Sequence, residues 1–515
     1  MRIRKISGIS FSFLTAAALF LSFLALLCVS PALAASAQPP VELKILHVND
    51  THGHIIPYIE NSISTQVPVS GADYMAKMIE KERAANPDGT IVLSAGDMFQ
   101  GTPVSNIFRG KPVIEIMNYL KFDAMALGNH EFDWGQDVLH EIISSAAFPV
   151  LSANISRKDG KPFEGAKPYV IIERKGLSIA IIGLTTPEAP VTSKPGNLVG
   201  LSFARPADIM PRLVKEVRAK GAALVIVLSH IGLNADKELA KAVRGIDIIV
   251  GGHSHTVVPD PVNQSGTVVV QAGSNGLYLG VLDIVFDPAK KEVTGYTEKN
   301  ELKLVSAGTE DRSDPAVAQI VDSYEKKVRE EFSKVIGLAA LDLLRQPGAE
   351  SNLGDLITDA MRESSGAQIA FYNGGGIRTD LLKGPITLES VYTVLPFDND
   401  IVTMDLTGKQ IKQLLEKSGN RDKILQVSGM TVQYDRTKPA GSRVVSMQIA
   451  GKALSPNAVY RVAINDFLAA GGDQFATFTQ GKNPVFGSPV RDVVSEYIRS
   501  HSPLDVRVQG RIAFK

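Results

Sequence analysis

Between residue 41 and about residue 300 the chain repeats one theme: a short β-branched apolar run, then a loop rich in Gly, Asp, Asn or His, then a more helical stretch. The runs are "ELKILHV", "TIVLSAG", "FDAMALG", "LSIAIIG", "ALVIVLS", "IDIIVGG" and "TVVVQAG". A half-exposed strand would alternate apolar and polar residues. Runs this uniformly apolar suit strands buried on both faces, with helices packed over the sheet. The expected fold class is therefore α/β, and in such sheets sites are built in the loops at strand ends. Any polar residue that follows a run is a candidate.

Collecting those residues gives Asp50 and His52 in "NDTHGH", Asp97 in "SAGDMFQG", Asn129 and His130 in "LGNHEFDWG", His230 in "VLSHIG", and His253 and His255 in "GGHSHT". Five of the nine histidines (52, 130, 230, 253 and 255) fall at these strand ends, where chance would scatter them. Taken singly, each has a plainer reading: Asp97 or Asn129 as an Asx turn, His230 as a hydrogen-bonded core histidine, "GGHSHT" as a glycine turn. Together those readings require several coincidences at once. Asp, Asn and His offer oxygen and imidazole donors without thiolate, a set suited to zinc, manganese or a similar divalent ion in a hydrolytic site. The set is larger than one ion needs; two ions about 3.5 to 4 Å apart, bridged by one carboxylate, would use it all.

The rest of the chain bounds the setting. Residues 1–35 carry Arg2, Arg4 and Lys5, then a long apolar stretch, then Ala32-Leu33-Ala34, the order of a secretory signal peptide cleaved near Ala34 or Ala35. A periplasmic or secreted location is expected. A lipid or uncleaved anchor is the lesser alternative, because Cys28 follows Leu27 rather than a small residue. Cleavage removes the one cysteine, so disulfides are excluded, and takes the formal charge from zero to −3 (51 basic, 54 acidic), which gives no sign of polyanion or membrane-surface binding. Residues 313–337 place Val317, Ile320, Val321, Tyr324, Val328 and Phe332 at helical spacing, between Pro315 and Gly337, and predict a linking helix. Residues 338–515 have a mixed α and β texture and read as a second domain.

The motifs "NDTHGH", "GDMFQG", "GNHEFD", "SHIG" and "GGHSHT", in this order and spacing, resemble the calcineurin-like metallophosphoesterases, specifically the 5'-nucleotidase family. The resemblance covers essentially the whole mature chain. It implies an N-terminal four-layer α-β-β-α sandwich over 41–305, the linking helix, and a C-terminal mixed α+β substrate-binding domain over 338–515, with the site in the cleft between them. It also implies one ion held by Asp50, His52 and His255, a second by Asn129, His230 and His253, and Asp97 bridging the two. His130 resembles the family's catalytic histidine, with Asp133 orienting it, although "HEFD" could equally be a helix-start cap. Two divalent ions bring +4 and two carboxylates −2, a remainder suited to a phosphate dianion. The expected chemistry is in-line attack by metal-bound hydroxide on phosphorus, without a covalent enzyme intermediate. His54, His47, His140 and His501 are expected to be structural or exposed.

In the second domain, "YNGGGIRTD" places Asn373 and Arg378 around three glycines, which let backbone approach a ligand while Arg forks onto phosphate. The family resemblance implies that Arg378 contacts the substrate, that Phe397 and Phe467 sandwich a nucleobase, and that Asp473 accepts from ribose hydroxyls; Asn373 and Asn399 complete the candidate set. One departure stands out. Family members carry one or two further arginines just before the "NLG" helix, whereas the matching positions here are Leu343 and Pro347, with only Arg345 near. The expected function is a 5'-nucleotidase acting on a small-molecule nucleotide rather than a nucleic acid polymer. The alternatives are a 2',3'-cyclic-nucleotide phosphodiesterase with 3'-nucleotidase activity, a UDP-sugar hydrolase, a thiosulfate-ester hydrolase, or a degenerate nucleotide-binding or adhesion protein without catalysis.

Overall fold

The computed structural model describes residues 39–60, 62–299, 301–308, 313–420 and 424–515; the signal segment 1–35 lies outside the described residues. Every one of the seven apolar runs contains a strand, and they divide between two sheets. The first has the spatial order Glu292–Tyr296, Tyr278–Asp287, Val41–Val48, Thr90–Ser94, Ala124–Ala126 and Val150–Leu151, with Leu302–Leu304 also on the Tyr278–Asp287 strand. Val41–Val48 pairs parallel with Thr90–Ser94 and antiparallel with Tyr278–Asp287. The second sheet runs Val262–Gln264, Thr267–Gln271, Ile248–Gly251, Leu224–His230, Leu177–Thr185 and Tyr169–Arg174.

Alternation along each strand explains why the runs are so largely apolar. Leu43 and Ile45 point into a core shared with Ile226, Leu228 and Val250 of the other sheet. Their neighbours Leu46 and Val48 point the opposite way, onto Ile79 of helix Ala72–Ala85, Ile116 of helix Lys111–Tyr119 and Leu139 of helix Gln136–Ser145. On the second sheet, Val225 and Val227 pack against Leu213 and Leu239 of helices Pro206–Ala219 and Leu233–Ala242. Successive residues thus enter different cores, and the result is the four-layer α-β-β-α sandwich.

The linking segment forms helix Pro315–Phe332, capped by Asp314, whose side chain accepts from the Ala316 and Val317 amides. Val317 and Val321 belong to the core of the first sheet and its helices. The helix is shorter than the 313–337 expected from its pattern. Val335–Ala339 is already a strand, paired with Gly384–Thr387, and Gly337 sits at the irregular register of that pair instead of closing the helix. The C-terminal half is built on a five-stranded sheet in the order Leu425–Ser428, Ile369–Asn373, Val459–Asn465, Asp400–Thr407 and Lys482–Pro489. Ala370 and Tyr372 pack on one side of it with helices Asn352–Ser365 and Val490–His501; Ile369 and Phe371 pack on the other with helix Gly408–Ser418. Among the described residues, no helix is long and apolar enough to cross a membrane.

Candidate active site

The polar ends of the runs converge at one edge of the sandwich. The loops after the first two strands are zipped together by backbone hydrogen bonds, Asp50 N to Gly96 O at 2.9 Å and His52 N to Asp97 O at 3.1 Å, so that these carboxylates and imidazoles share one site. Asp50, His52, Asp97, His253 and His255 all take the left-handed backbone region, with φ of 49°, 49°, 53°, 74° and 54°. Such strain in non-glycine residues costs on the order of 1 kcal/mol or more each and concentrates at functional sites.

Two donor triads result, Asp50 with His52 and His255, and Asp97 with His230 and His253, each with ligand atoms within 4.8 Å of one another. In the first, His52 Nε2 lies 3.2 Å from His255 Nε2, and Asp50 Oδ1 is 3.3 Å from His255 Nε2. In the second, His230 Nε2 lies 3.0 Å from Asp97 Oδ2 and 3.9 Å from Asp50 Oδ1, which places the two triads side by side. Despite that 3.0 Å approach, His230 Nε2 has no hydrogen-bond partner of acceptable direction, and the buried Oδ1 of Asn129 has none either. Asn129 Nδ2 donates to Thr192 O at 3.3 Å, turning the amide so that its oxygen is free as an acceptor. Buried polar atoms are nearly always paired. The unpaired His230 Nε2 and Asn129 Oδ1 fit a cation at the second triad, and the donor set of the first triad fits another.

The surrounding backbone selects the tautomers. His52 Nδ1 donates to Gln100 O at 2.8 Å and His230 Nδ1 to Ala95 O at 2.7 Å, which leaves the Nε2 lone pair of each imidazole for an ion. Burial and the nearby Arg378 guanidinium hold His52 well below the usual imidazole range, and burial together with His230 takes His253 to about 3, so both are neutral as ligands must be. His230 moves the other way, to about 10, because Asp97 and Asp50 outweigh the effect of burial. In the protein alone its proton balances two buried carboxylates; an ion seated among the same atoms takes the proton's place.

Above the triads, His130 Nδ1 meets Asp133 Oδ2 at 2.7 Å, and the His130 amide donates to Asp97 Oδ1 at 2.9 Å. Burial acts to lower the His130 imidazole, but the Asp133 and Asp97 carboxylates raise it overall. The alternative reading of "HEFD" as a cap also finds a counterpart, since His130–Phe132 is one turn of 3-10 helix, but the side chains of His130 and Asp133 bond to each other.

A cavity of about 490 Å³ lies between the two halves and is lined by Asp97, Asn129, His130, Asp133, His253 and His255 on one side and by Asn373, Arg378, Phe397, Asn399, Phe467 and Asp473 on the other. Arg378 Nη2 is 3.2 Å from His52 Nε2, and its guanidinium lies 5.7 Å from the Phe397 ring centre, which is itself 5.5 Å from that of His130. The Phe467 ring lies flat on Gly472, where a Cβ would meet ring carbons at 2.5 to 2.6 Å. Asn373 links the floor of this wall, donating to Asp473 at 3.1 Å and accepting from the buried Asn465 at 2.9 Å. Arg345 is placed differently: its guanidinium donates to the Arg378 carbonyl at 2.6 Å, and it lines two smaller side cavities, not the main one. His54 bonds to Thr51 O and packs on Tyr58, while His47, His140 and His501 are engaged by Glu301, Phe163 and Tyr497.

Three supporting residues escaped the motif search. Glu131 accepts from the Asp97, Gly128 and Met98 amides at 2.9, 2.6 and 2.8 Å, and so binds the second strand end to the third. The fully buried Gln271 accepts from Ser254 Oγ and Thr256 N and donates to Gly252 O, bracketing both His253 and His255. Asn49 donates to Asp50 Oδ2 at 2.6 Å. Asn49 and Gln271 are themselves polar residues ending apolar runs, and so satisfy the rule that picked out the ligand candidates.

Residues 43–257 match the family model for calcineurin-like phosphoesterase, and residues 331–480 match that for the 5'-nucleotidase C-terminal domain. The chain is 32% identical to snake venom 5'-nucleotidase from Crotalus adamanteus, over 92% of its own length and 89% of that protein. It is also 32% identical to the trifunctional nucleotide phosphoesterase protein YfkN from Bacillus subtilis (strain 168), over 92% of this chain but only 35% of that much longer relative. Among solved structures, the 5'-nucleotidase precursor from Thermus thermophilus is 35% identical and superposes with a TM-score of 0.85, covering 92% of this chain and 99% of that one.

Proposed function

Because the chain belongs to the 5'-nucleotidase family of calcineurin-like phosphoesterases, we propose that it is a dinuclear-metal hydrolase that converts nucleoside 5'-monophosphates and water to nucleoside and phosphate. The observation that carries this reading is the cavity itself: members of both triads, His255 of the first and Asp97 and His253 of the second, stand in one wall, and Arg378, Phe397 and Phe467 stand in the other. When bound, the two ions polarise phosphoryl oxygens and lower the pKa of a water. The remaining work belongs to side chains. Asp50 and Asp97 would offset half of the +4 charge of two bound ions and leave a centre matched to a phosphate dianion; Asp50, His52 and His255 would hold one ion, Asn129, His230 and His253 the other, and Asp97 would serve both. Arg378 stands at the mouth of the first triad, where its guanidinium forks onto phosphate. His130, with Nδ1 committed to Asp133, has Nε2 left to donate toward charge developing on the transferring group. Phe397 and Phe467 take the base, and Asp473, oriented by Asn373, accepts from ribose hydroxyls.

The substrate is a small nucleotide, in keeping with a cavity of about 490 Å³. Export to the periplasm or outside is supported by the order of charge, apolar stretch and small residues in 1–35. Phosphate release from AMP, UDP-glucose and 2',3'-cyclic AMP, with and without chelator, tests the function: AMP is expected to be the best substrate, with activity lost to EDTA and restored by manganese or zinc. Turnover indifferent to chelator, or confined to the cyclic or sugar nucleotide, would refute it.

A base–aromatic stack contributes about 1 to 3 kcal/mol. Phe397→Ala and Phe467→Ala are each expected to raise the KM for AMP by about tenfold while changing kcat far less. An unchanged KM in both variants would remove the phenylalanines from the base site.

A further inference from the structure

Asn106 belongs to no motif, yet it is buried, 6% exposed, at the seam between the two halves of the molecule. It lies on the short helix Pro103–Ile107, and its amide is used at both ends: Oδ1 accepts from Gly101 N at 2.8 Å, and Nδ2 donates to Pro396 O at 2.9 Å. Each of those backbone groups adjoins a site residue. The carbonyl of Gln100, immediately before Gly101, is the acceptor that fixes the His52 imidazole. Gly101 packs so closely on His52 that an added Cβ would collide with the His52 carbonyl, so this peptide and the ligand histidine move together. On the other side, Pro396 precedes Phe397, and Arg491 holds the flanking Leu395 and Phe397 carbonyls at 2.9 and 3.1 Å. A rigid path therefore runs from His52 through Gln100, Gly101 and Asn106 to the loop that presents Phe397.

We propose that Asn106 is a positioning residue that couples the first metal triad to the nucleobase platform. An ion seated on His52 fixes the loop that Asn106 reads and holds Phe397 in place for a base; a base stacked on Phe397 in turn tightens the ion. The coupling is reciprocal by thermodynamic necessity. It rests on the reading that Phe397 stacks the base. The two hydrogen bonds of Asn106 hold the seam together, because losing its side chain would leave the buried Gly101 amide and Pro396 carbonyl unpaired.

Adenosine is the probe, because it carries base and ribose but no phosphate through which to touch the ions. Adenosine is titrated into metal-free and manganese-saturated protein, and manganese into protein with and without adenosine. In the wild-type chain manganese is expected to tighten adenosine about fivefold or more, and adenosine to tighten manganese by the same factor. Asn106→Ala, and the isosteric Asn106→Asp, which keeps an acceptor for Gly101 N but cannot donate to Pro396 O, are expected to bring that factor close to one. A factor of one in the wild-type chain, or a wild-type factor in both variants, overturns the proposal. A substitution that merely loosened the fold would weaken adenosine equally with and without manganese and leave the factor intact, which counts against it too. If Phe397→Ala binds adenosine as the wild type does, the stacking reading fails and the coupling with it, an outcome distinct from coupling lost in the Asn106 variants alone.

Discussion

Asp97→Ala is expected to leave a folded chain that holds at most one ion and turns over AMP slower by on the order of a thousandfold or more, the loss of several kcal/mol of charge stabilisation. Asp97 is the sole carboxylate of its triad, so the variant would offer a dication only His230, His253 and the Asn129 amide. It also stands at the junction of the site, receiving the His130 amide on Oδ1 and facing His230 with Oδ2. Burial pushes its carboxyl up, but the His230 and His130 imidazoles more than offset this and hold it well below the usual carboxylate range. The carboxylate is therefore ionised where the cation must sit. The fold should survive, because Asp97 contributes to no apolar core, but the metal-free variant should be less stable than the metal-free wild type, since the His230 and His130 imidazoles lose the carboxylate they hold ionised. Two measurements separate loss of metal from loss of fold. Metal content should drop from two ions per chain, and the rise in melting temperature on adding manganese should shrink while the chelated variant still melts in one cooperative transition, somewhat below the chelated wild type. Two ions retained with normal turnover would remove Asp97 from the centre.

Much of this site was legible because its residues obey a rule that needs only local sequence. A parallel strand buried on both faces is largely apolar, so the polar residues that end runs such as "KILHV" or "VIVL" mark the sheet edge, and the edges of neighbouring strands lie together. That is why Asp50, Asp97 and His230, far apart in the chain, meet at one point. The rule fails where a side chain's destination is decided by tertiary contacts. Arg345 sits just before the "NLG" helix, but an exposed, long side chain goes where an acceptor awaits it, here the carbonyl of Arg378. The linking helix stops at Phe332, short of its predicted end, because Val335–Ala339 finds a strand partner some fifty residues on, and β-branched residues take a sheet when one is offered. Glu131 and Asn106 act through backbone amides and carbonyls, which leave no imprint on residue type at the other end of the bond.

His130→Ala tests the division of labour between ions and protein. The variant is expected to bind two ions with unchanged affinity, since the imidazole belongs to neither triad, and to lose about 10² to 10³ in kcat with little change in KM. Asp133→Asn should do less, roughly tenfold. The amide oxygen of Asn can still accept from Nδ1 and orient the ring, so only the charge that favours the protonated imidazole is lost. The order of the two effects matters more than either size. If Asp133→Asn proves as damaging as His130→Ala, the charge on the ring is the whole contribution and its position counts for little. If His130→Ala retains both metals and full turnover, the pair is a cap on the turn after Asn129 and the catalytic assignment is wrong. The contacts favour a working group: an imidazole needed only as a cap would have no reason to line a cleft shared with Arg378 and Phe397, 5.5 Å from the ring of His52 in the first triad.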